Sequence, residues 1–252
     1  MKEKFNLLRL FIIAKTPFTI YLKYILTKMT NNKRKSFVSN QVIFKEQLSS
    51  KVYSIDWFTN QIPYWYEVFK RLNISFNDRL NILEIGSFEG VSSVFLLHTF
   101  PNSKLTCVDT WQGADEHQNL NMNKIEENFD QNTLPYGNRV TKYKGTSFNY
   151  FNDHDSSNTE LFDIIYVDGS HFFDDVLIDA LKSFHLLKVG RIIIFDDYLW
   201  SAYKDFSLNP ASAINSFYKS NSKRLRVLSV YHQIIMQKTA DINKTSDLVS
   251  LS

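Results

Sequence analysis

The chain has 252 residues, of which 44% are hydrophobic and 15% aromatic, enough apolar material for one substantial domain. Its net charge of +3 is unevenly distributed: the first 35 residues contain nine Lys/Arg and one Glu, whereas the remainder contains 20 basic and 25 acidic residues. An acidic body argues against nucleic acid as a substrate, because phosphate binding depends on clustered Lys and Arg. The single cysteine, Cys107, excludes an intrachain disulfide and a metal site made only of cysteines, and it favours a reducing, cytoplasmic location.

The N-terminal segment 5–29 is apolar, but three basic residues interrupt it and Pro17 breaks it. No uncharged run approaches the roughly 20 residues that a membrane span requires. Glu3 within the basic region argues against a secretory signal. Two interpretations of the arm, residues 1–50, stay open. Either it packs as helices on the domain or on a second subunit of a homo-oligomer, or it lies peripherally on an anionic membrane.

Residues 51–240 are predicted to form one α/β domain. An aromatic-rich segment, 56–70, predicts a short packed helix after Pro63. From residue 79 onward, short apolar runs alternate with helix-length segments, and this alternation predicts a parallel sheet. The predicted strands of this part are 81–85, 104–108, 139–143, 162–167 and 191–195.

The C-terminal part of the domain predicts a helix over 211–220, followed by strands at 225–230 and 233–237. Two strands joined so tightly must be antiparallel. The predicted fold is therefore a Rossmann-like, doubly wound, mostly parallel seven-stranded sheet with an antiparallel strand near the C-terminus, preceded by a helical N-terminal arm. A polar tail, 241–252, follows.

A glycine-containing turn follows the first predicted strand, in Ile82-Leu-Glu-Ile-Gly-Ser-Phe-Glu-Gly. Gly86 and Gly90 allow a sharp turn and a close approach of a ligand to a helix N-terminus. The next strand ends in Asp109, the position at which nucleotide-binding folds place an acid for the ribose hydroxyls. An ordinary tight turn is the alternative for the glycines alone. Glu84 and the departure from G-x-G-x-x-G favour S-adenosylmethionine over NAD.

With these motifs, and with Leu105-Thr-Cys-Val-Asp-Thr-Trp, Phe162-Asp-Ile-Ile-Tyr-Val-Asp-Gly-Ser-His and Ile194-Phe-Asp-Asp-Tyr, the sequence resembles class I S-adenosylmethionine-dependent methyltransferases. It is most similar to metal-dependent O-methyltransferases of the macrocin type, which act on sugars, and the resemblance covers roughly residues 56–238. Phe88 stands where many relatives have a second glycine. A departure lies before the fifth strand, where relatives often have Pro-Gly-Gly and this chain has Val189-Gly-Arg.

The resemblance implies where the cofactor is held. Glu84 and the turn 86–90 would contact the methionine part, Asp109 the ribose, and Ser147 the adenine region. The implied cofactor-binding residues are Glu84, Gly86, Ser87, Phe88, Gly90, Ser92, Asp109, Thr110, Ser147 and Asp168.

Three carboxylates are expected at the carboxyl edge of the sheet, because Asp168 ends one strand and Asp196 and Asp197 end another. Such carboxylates repel one another without a cation, and a hard divalent ion such as Mg²⁺ would resolve this. The alternative is that these residues cap a loop or a helix. His171 suits a general base, or otherwise anchors its loop.

The sequence therefore predicts S-adenosylmethionine-dependent O-methylation of a hydroxyl on a small molecule or sugar, assisted by a divalent metal. Competing hypotheses are a methyltransferase that needs no metal, a non-catalytic cofactor-binding protein, and an NAD-dependent oxidoreductase. The acceptor stays open, because its pocket would be formed by loops such as 112–123 and 199–209. Trp111, Trp200 and Tyr203 are candidates to line it or simply to pack.

Overall fold

A computed structural model describes residues 2–30, 34–113, 121–154 and 162–241. Within these ranges the strands form one seven-stranded sheet in the order β3-β2-β1-β4-β5-β7-β6. The last strand in sequence is antiparallel to both of its neighbours, and the first five strands pair in parallel. The predicted fold is confirmed. The strands are β1 Asn81–Ile85, β2 Lys104–Asp109, β3 Val140–Lys144, β4 Phe162–Val167, β5 Leu187–Phe195, β6 Leu225–Val230 and β7 Ile234–Lys238.

Helices cover both faces of the sheet. Successive residues of a strand point to opposite faces, so Ile165 and Val167 of β4 enter one core cluster while Ile164 and Tyr166 enter the other. The α-helices of the described ranges are α1 Lys2–Ile13, α2 Phe18–Met29, α3 Val38–Leu48, α4 Ile62–Arg71, α5 Val91–Thr99, α6 Met122–Thr133, α7 Ser147–Asp153, α8 Phe173–Leu186 and α9 Pro210–Asn221. The first core cluster draws on α1, α2 and α7 to α9, and the second on α3 to α6.

The N-terminal arm is built into the domain. Leu10 and Ile20 are buried in the same core as the sheet, and Pro17 separates the two helices at the predicted break. The Asn215 side-chain amide donates to the Ala14 carbonyl and to the Thr16 hydroxyl, both at 3.0 Å. The arm thus packs on the domain, while the division at residue 50 stays a prediction. None of the described helices is long and apolar enough to span a bilayer.

The fifth strand departs most from the prediction. It begins at Leu187, four residues before the predicted start at Arg191, because α8 runs directly into it without a loop. Leu187 pairs with Phe162, the register shifts between Phe162 and Ile164, and Gly190 adopts φ +84° inside the strand. The segment Val189-Gly-Arg is therefore irregular strand where related sequences suggested a Pro-Gly-Gly loop. The other predicted strand bounds differ by at most one residue, and α4 begins at Ile62 with Pro63 in its first turn.

Candidate active site

The carboxyl ends of four parallel strands meet at one edge of the sheet. β1 occupies the centre, with β2 on one side and β4 on the other, and β5 follows β4. Backbone hydrogen bonds continue past the strand ends, so the residues that follow each strand are held at this edge. They join the Gly86 amide to the Val108 carbonyl at 2.8 Å, the Asp168 amide to the Ile85 carbonyl at 2.7 Å, and the Asp196 amide to the Val167 carbonyl at 2.9 Å.

The turn after β1 requires glycine at its first position. Gly86 adopts φ +84°, and a Cβ added there would lie 1.8 Å from the carbonyl oxygen of Asp168. No side chain fits in that space, so the close approach of β1 to the loop after β4 depends on the missing Cβ. Gly90 adopts φ +81° and starts α5. Phe88 also has a positive φ, +48°, which is strained for a bulky residue.

Asp109 connects this turn to the end of β2. Its Oδ2 accepts from the backbone amides of Ser87 at 2.9 Å and Phe88 at 2.8 Å, and its Oδ1 accepts from the Trp111 amide at 2.7 Å. The sequence prediction that the glycine turn and the acid lie together is confirmed. The Asp109 carboxylate therefore holds the backbone of the turn against the end of β2.

Glu84 lies beneath the turn. Its carboxylate is fully buried, Oε2 accepts from the hydroxyls of Ser87, at 2.9 Å, and Ser93, and the Cys107 thiol lies 3.6 Å away. Burial raises the pKa of Glu84, and the Ser92, Ser93 and Ser87 hydroxyls oppose that rise by stabilising the charged form. Glu84 therefore supports the turn from the core side. Its contact with a cofactor, like that of Ser92, stays a prediction.

Two of the remaining implied cofactor residues, Thr110 and Ser147, lie in the segments that follow β2 and β3. The Thr110 hydroxyl accepts from the Gln112 amide at 3.2 Å, and the Gly145 amide donates to the Asp109 carbonyl at 2.9 Å. The second bond brings the start of α7, and with it Ser147, to the same edge. The Ser147 hydroxyl interacts with Asp179, whose burial raises its pKa to about 7.

Asp168 and Asp196 share a buried tyrosine. The Tyr166 hydroxyl lies 2.8 Å from Oδ2 of Asp168 and also contacts Oδ2 of Asp196, and its single proton can bond only one of them at a time. The Gln233 amide donates to Oδ2 of Asp196 at 2.7 Å. Burial raises the pKa of Asp168, and the charges of Asp196 and Asp197 raise it further. Burial likewise raises the pKa of Asp196 to about 6.

His171 completes the cluster. Its Nε2 lies 2.7 Å from Oδ2 of Asp197, and one ligand atom from each of Asp168, His171 and Asp197 lies within 4.8 Å of the others. Asp197 adopts φ +54°, a costly conformation for a non-glycine residue, and this conformation accompanies its contact with the imidazole. Two carboxylates and an imidazole at these separations fit a divalent cation.

The three carboxylates that the sequence predicted to converge lie close together, but the donor atoms that could share a cation belong to Asp168, His171 and Asp197 and not to Asp196. Asp196 already accepts hydrogen bonds on both oxygens, since Oδ1 takes the Asp197 amide at 2.7 Å. His171, which the sequence predicted as a base, takes the place of Asp196 in the group of close donor atoms. The sequence did not predict the roles of Tyr166 and Gln233. Tyr166 is a polar group within the apolar strand β4, and Gln233 directly precedes the apolar strand β7, and these were the only local signals.

The three aromatic residues proposed to line the acceptor pocket lie in two different parts of the site. Trp200 packs against His171 with ring centroids 4.6 Å apart, and Tyr203 packs against Trp200 at 5.0 Å. Trp111 is buried against Phe129 and donates to the Phe88 carbonyl at 2.9 Å. Trp200 and Tyr203 therefore border the cluster, while Trp111 supports the glycine turn. The predicted loop 112–123 lies mostly outside the described residues.

Comparison with known proteins agrees with the fold and the motifs. A family model described as a methyltransferase domain matches residues 83–198. No curated protein matches the sequence. The matched range includes the glycine turn, residues 86–90, and the carboxylate cluster, which consists of Asp168, Asp196 and Asp197 with His171. The predicted resemblance to class I S-adenosylmethionine-dependent methyltransferases is confirmed.

Solved O-methyltransferase structures share the fold at low sequence identity. TomG from Streptomyces achromogenes, in complex with S-adenosylmethionine, has a TM-score of 0.51 and 15% identity over 89% of this chain and 100% of TomG. An O-methyltransferase from Bacillus cereus, in complex with S-adenosylhomocysteine, has a TM-score of 0.52 and 13% identity over 88% of this chain and 100% of that chain. MycE, in complex with Mg, S-adenosylhomocysteine and Mycinamycin VI, has a TM-score of 0.52 and 16% identity over 73% of this chain and 51% of MycE.

Proposed function

We propose that the protein transfers the methyl group of S-adenosylmethionine to a hydroxyl of a small molecule or sugar, with a divalent cation held beside the acceptor. The observation that carries this proposal is the convergence at one sheet edge of the glycine turn with Asp109 and the cluster of Asp168, His171 and Asp197. Such an arrangement would align a bound methyl donor with a hydroxyl and a base.

The strand order supports a methyl donor over NAD as the ligand. The common dinucleotide-binding sheet is parallel throughout, whereas β7 here inserts antiparallel between β5 and β6. The matched domain and the cofactors bound to TomG and MycE point the same way. We therefore assign the turn after β1 to the methionine part and Asp109 to the ribose of S-adenosylmethionine.

His171 is the proposed general base. If its Nε2 donates to Asp197, its Nδ1 carries the lone pair and can accept the hydroxyl proton. Bound S-adenosylmethionine would supply the methyl group from its sulfonium and leave as the neutral thioether, and His171 would take the proton that the acceptor hydroxyl loses. Asp197 would hold the imidazole in orientation and stabilise the positive charge that it gains.

Asp168 and Asp197, with Asp196 behind them, are the proposed holders of the cation, which would lower the pKa of the acceptor hydroxyl as a Lewis acid. MycE contains Mg in its complex, and in this chain the carboxylate oxygens of Asp168 and Asp197 that lie within 4.8 Å of each other would hold such an ion while His171 serves as the base. The protein's own contribution is to keep carboxylates of like charge close together. Tyr166 and Gln233 support this placement by hydrogen bonds from the core side.

A metal-independent methyltransferase is the second candidate. The observation that favours it is that hydrogen bonds from Tyr166, Gln233 and the Asp197 amide reach both oxygens of Asp196. In that case Asp196 is purely structural, and His171 with Asp197 performs the proton transfer alone.

A radiolabelled methyl-transfer assay separates these possibilities. The purified chain is incubated with methyl-labelled S-adenosylmethionine and a panel of sugars, polyols and catechols, with and without a chelator. The proposal predicts transfer that the chelator abolishes and Mg²⁺ restores. Transfer that persists in the chelator favours the metal-independent candidate, and absence of transfer to every acceptor contradicts O-methylation of these classes.

A further inference from the structure

The outer side of the N-terminal helices carries large apolar side chains in solvent. Phe18 and Met29 are each 74% exposed and Ile12 is 66% exposed. Phe18, Leu22 and Leu26 are spaced by four residues on α2, so they lie on one side of the helix. We call this set the arm surface; its members are Leu8, Ile12, Phe18, Leu22, Leu26 and Met29.

The arm surface continues into a groove. An open depression of about 350 Å³ is lined by residues of α1, the turn and α2. Most of its lining residues are apolar, and Lys15 is the one charged residue among them. A contiguous apolar patch of this kind is unusual on a protein that makes no contact there, and it marks a docking site.

Every charged side chain of residues 5–44, the segment that contains the arm surface, is basic. The sequence contains no Asp or Glu between Lys4 and Lys45. Lys15 and Lys28 are exposed, and among the described residues neither has a carboxylate partner, although the Lys28 ammonium lies 5.3 Å from the centroid of the Tyr24 ring. Arg34, by contrast, is paired with Glu67 at 2.9 Å. An apolar stripe flanked by uncompensated lysines matches an anionic surface with an apolar interior.

We propose that the arm surface docks the protein on membranes that contain anionic lipids. The apolar side chains would enter the boundary between headgroups and acyl chains, and the lysines would contact lipid phosphates. A second copy of the chain is the less favourable occupant. A two-fold contact through this surface would bring one basic arm against another, with no carboxylate of residues 5–44 to compensate.

Docking through the arm would also orient the candidate active site. The Asn215 side chain donates to the Ala14 carbonyl at 3.0 Å, and its Oδ1 accepts from the Tyr198 hydroxyl at 2.9 Å. Tyr198 directly follows Asp197 of the carboxylate cluster. The turn between α1 and α2 is thus tied to the catalytic edge, so the arm cannot bind a membrane independently of the domain. The proposal does not depend on the chemistry assigned to that edge.

Vesicle co-sedimentation of the full chain tests the docking. Vesicles of phosphatidylcholine alone are compared with vesicles that also contain phosphatidylglycerol, at low and high salt. We expect binding only to the anionic vesicles, weakened at high salt because salt screens the lysines. Absence of binding to the anionic vesicles overturns the proposal.

Two sets of variants identify the surface. Ile12→Gln/Phe18→Gln/Met29→Gln removes exposed apolar groups and should abolish binding. The control Leu134→Gln/Phe148→Gln changes residues outside the arm that are 77% and 54% exposed, and it should leave binding unchanged.

Lys15→Gln/Lys28→Gln should weaken binding about fivefold for each lysine, since each is worth roughly 1 kcal/mol near such a surface. Lys104→Gln/Lys223→Gln is the charge-matched control. Equal losses in arm and control variants contradict the proposal. So does a concentration-dependent dimer that the apolar arm variant abolishes.

Discussion

At the scale of single residues, His171 makes the most specific catalytic prediction. His171→Ala should lower turnover by about 10²–10⁴-fold, the usual contribution of a general base. Affinity for S-adenosylhomocysteine should not change, because the imidazole lies beside Asp197 and not in the glycine turn. Steady-state kinetics and calorimetry measure the two effects.

The matched control is His98→Ala, which alters an exposed histidine of α5 that contacts Gln47. It should leave both turnover and affinity unchanged. Unaltered turnover in His171→Ala would remove this residue from the role of base.

Asp179 makes a prediction about stability. Burial raises its pKa to about 7, whereas an unfolded Asp titrates near 3.9. The unfolded chain therefore loses this proton first, and the free energy of unfolding falls as the pH rises from about 4 to 7.

Asp179→Asn removes this penalty. The variant should be more stable than the original chain at pH 8, by about 4 kcal/mol, and the difference should vanish near pH 4. Urea unfolding at both pH values measures it. A destabilised variant at pH 8 would contradict the assignment.

The position of a site residue could be predicted from the sequence only where it depended on residues nearby in the chain. The positions of Asp109 and His171 followed from their distance to a strand end, and the structure places both at the expected edge. The hydrogen bond from Trp65 to Gln233 joins residues separated by 168 positions, so no local pattern indicates it. The tyrosine beneath Asp168 and Asp196 was hidden for a related reason, since Tyr166 fits a buried strand by its apolar ring alone.

At the scale of elements, the turn between β1 and α5 is the feature on which cofactor binding depends. Gly86→Ala would place a Cβ 1.8 Å from a backbone oxygen, which neither strand can accommodate without moving. We expect loss of S-adenosylhomocysteine binding and destabilisation by about 1–3 kcal/mol. Calorimetry and thermal unfolding measure these effects.

Gly190→Ala is a matched control for this substitution. Gly190 has the same φ, +84°, but a Cβ there meets nothing within 4 Å. Both variants carry the strain of a positive φ, so only the steric clash distinguishes them. Retention of cofactor binding in Gly86→Ala would show that the close approach of the turn to Asp168 is dispensable.

Element type was easier to predict than element boundaries. Short apolar runs predicted all seven strands, and the pattern is strongest in β4, whose six residues are all buried. The early start of β5 escaped because Lys188 and Gly190 interrupt the apolar run. Their places in the strand depend on pairing with β4 and on the ion pair between Lys188 and Asp163 at 2.9 Å, both of which are long-range.

At the scale of the whole molecule, the arm and the domain act as one body. Both N-terminal helices contribute to the core on one face of the sheet. The difference in charge between the arm and the remainder of the chain therefore does not mark a separate structural unit. The uneven charge still has a physical meaning, since it leaves the outer side of the arm basic and apolar together.

Binding of the cofactor should stabilise the entire chain. A ligand that binds only the folded state adds about 2.7 kcal/mol at a concentration one hundredfold above its Kd. S-adenosylhomocysteine should therefore raise the Tm in a concentration-dependent manner, and differential scanning fluorimetry measures the shift. An unchanged Tm at saturating ligand would indicate that the turn after β1 binds something else.

Titration calorimetry of the purified chain with S-adenosylhomocysteine, and in parallel with NAD, tests the central claim most directly. The glycine turn after β1, held to Asp109 by the Ser87 and Phe88 amides, predicts one-to-one binding of S-adenosylhomocysteine and no heat with NAD. Binding of NAD without any binding of S-adenosylhomocysteine would contradict the assignment of this site.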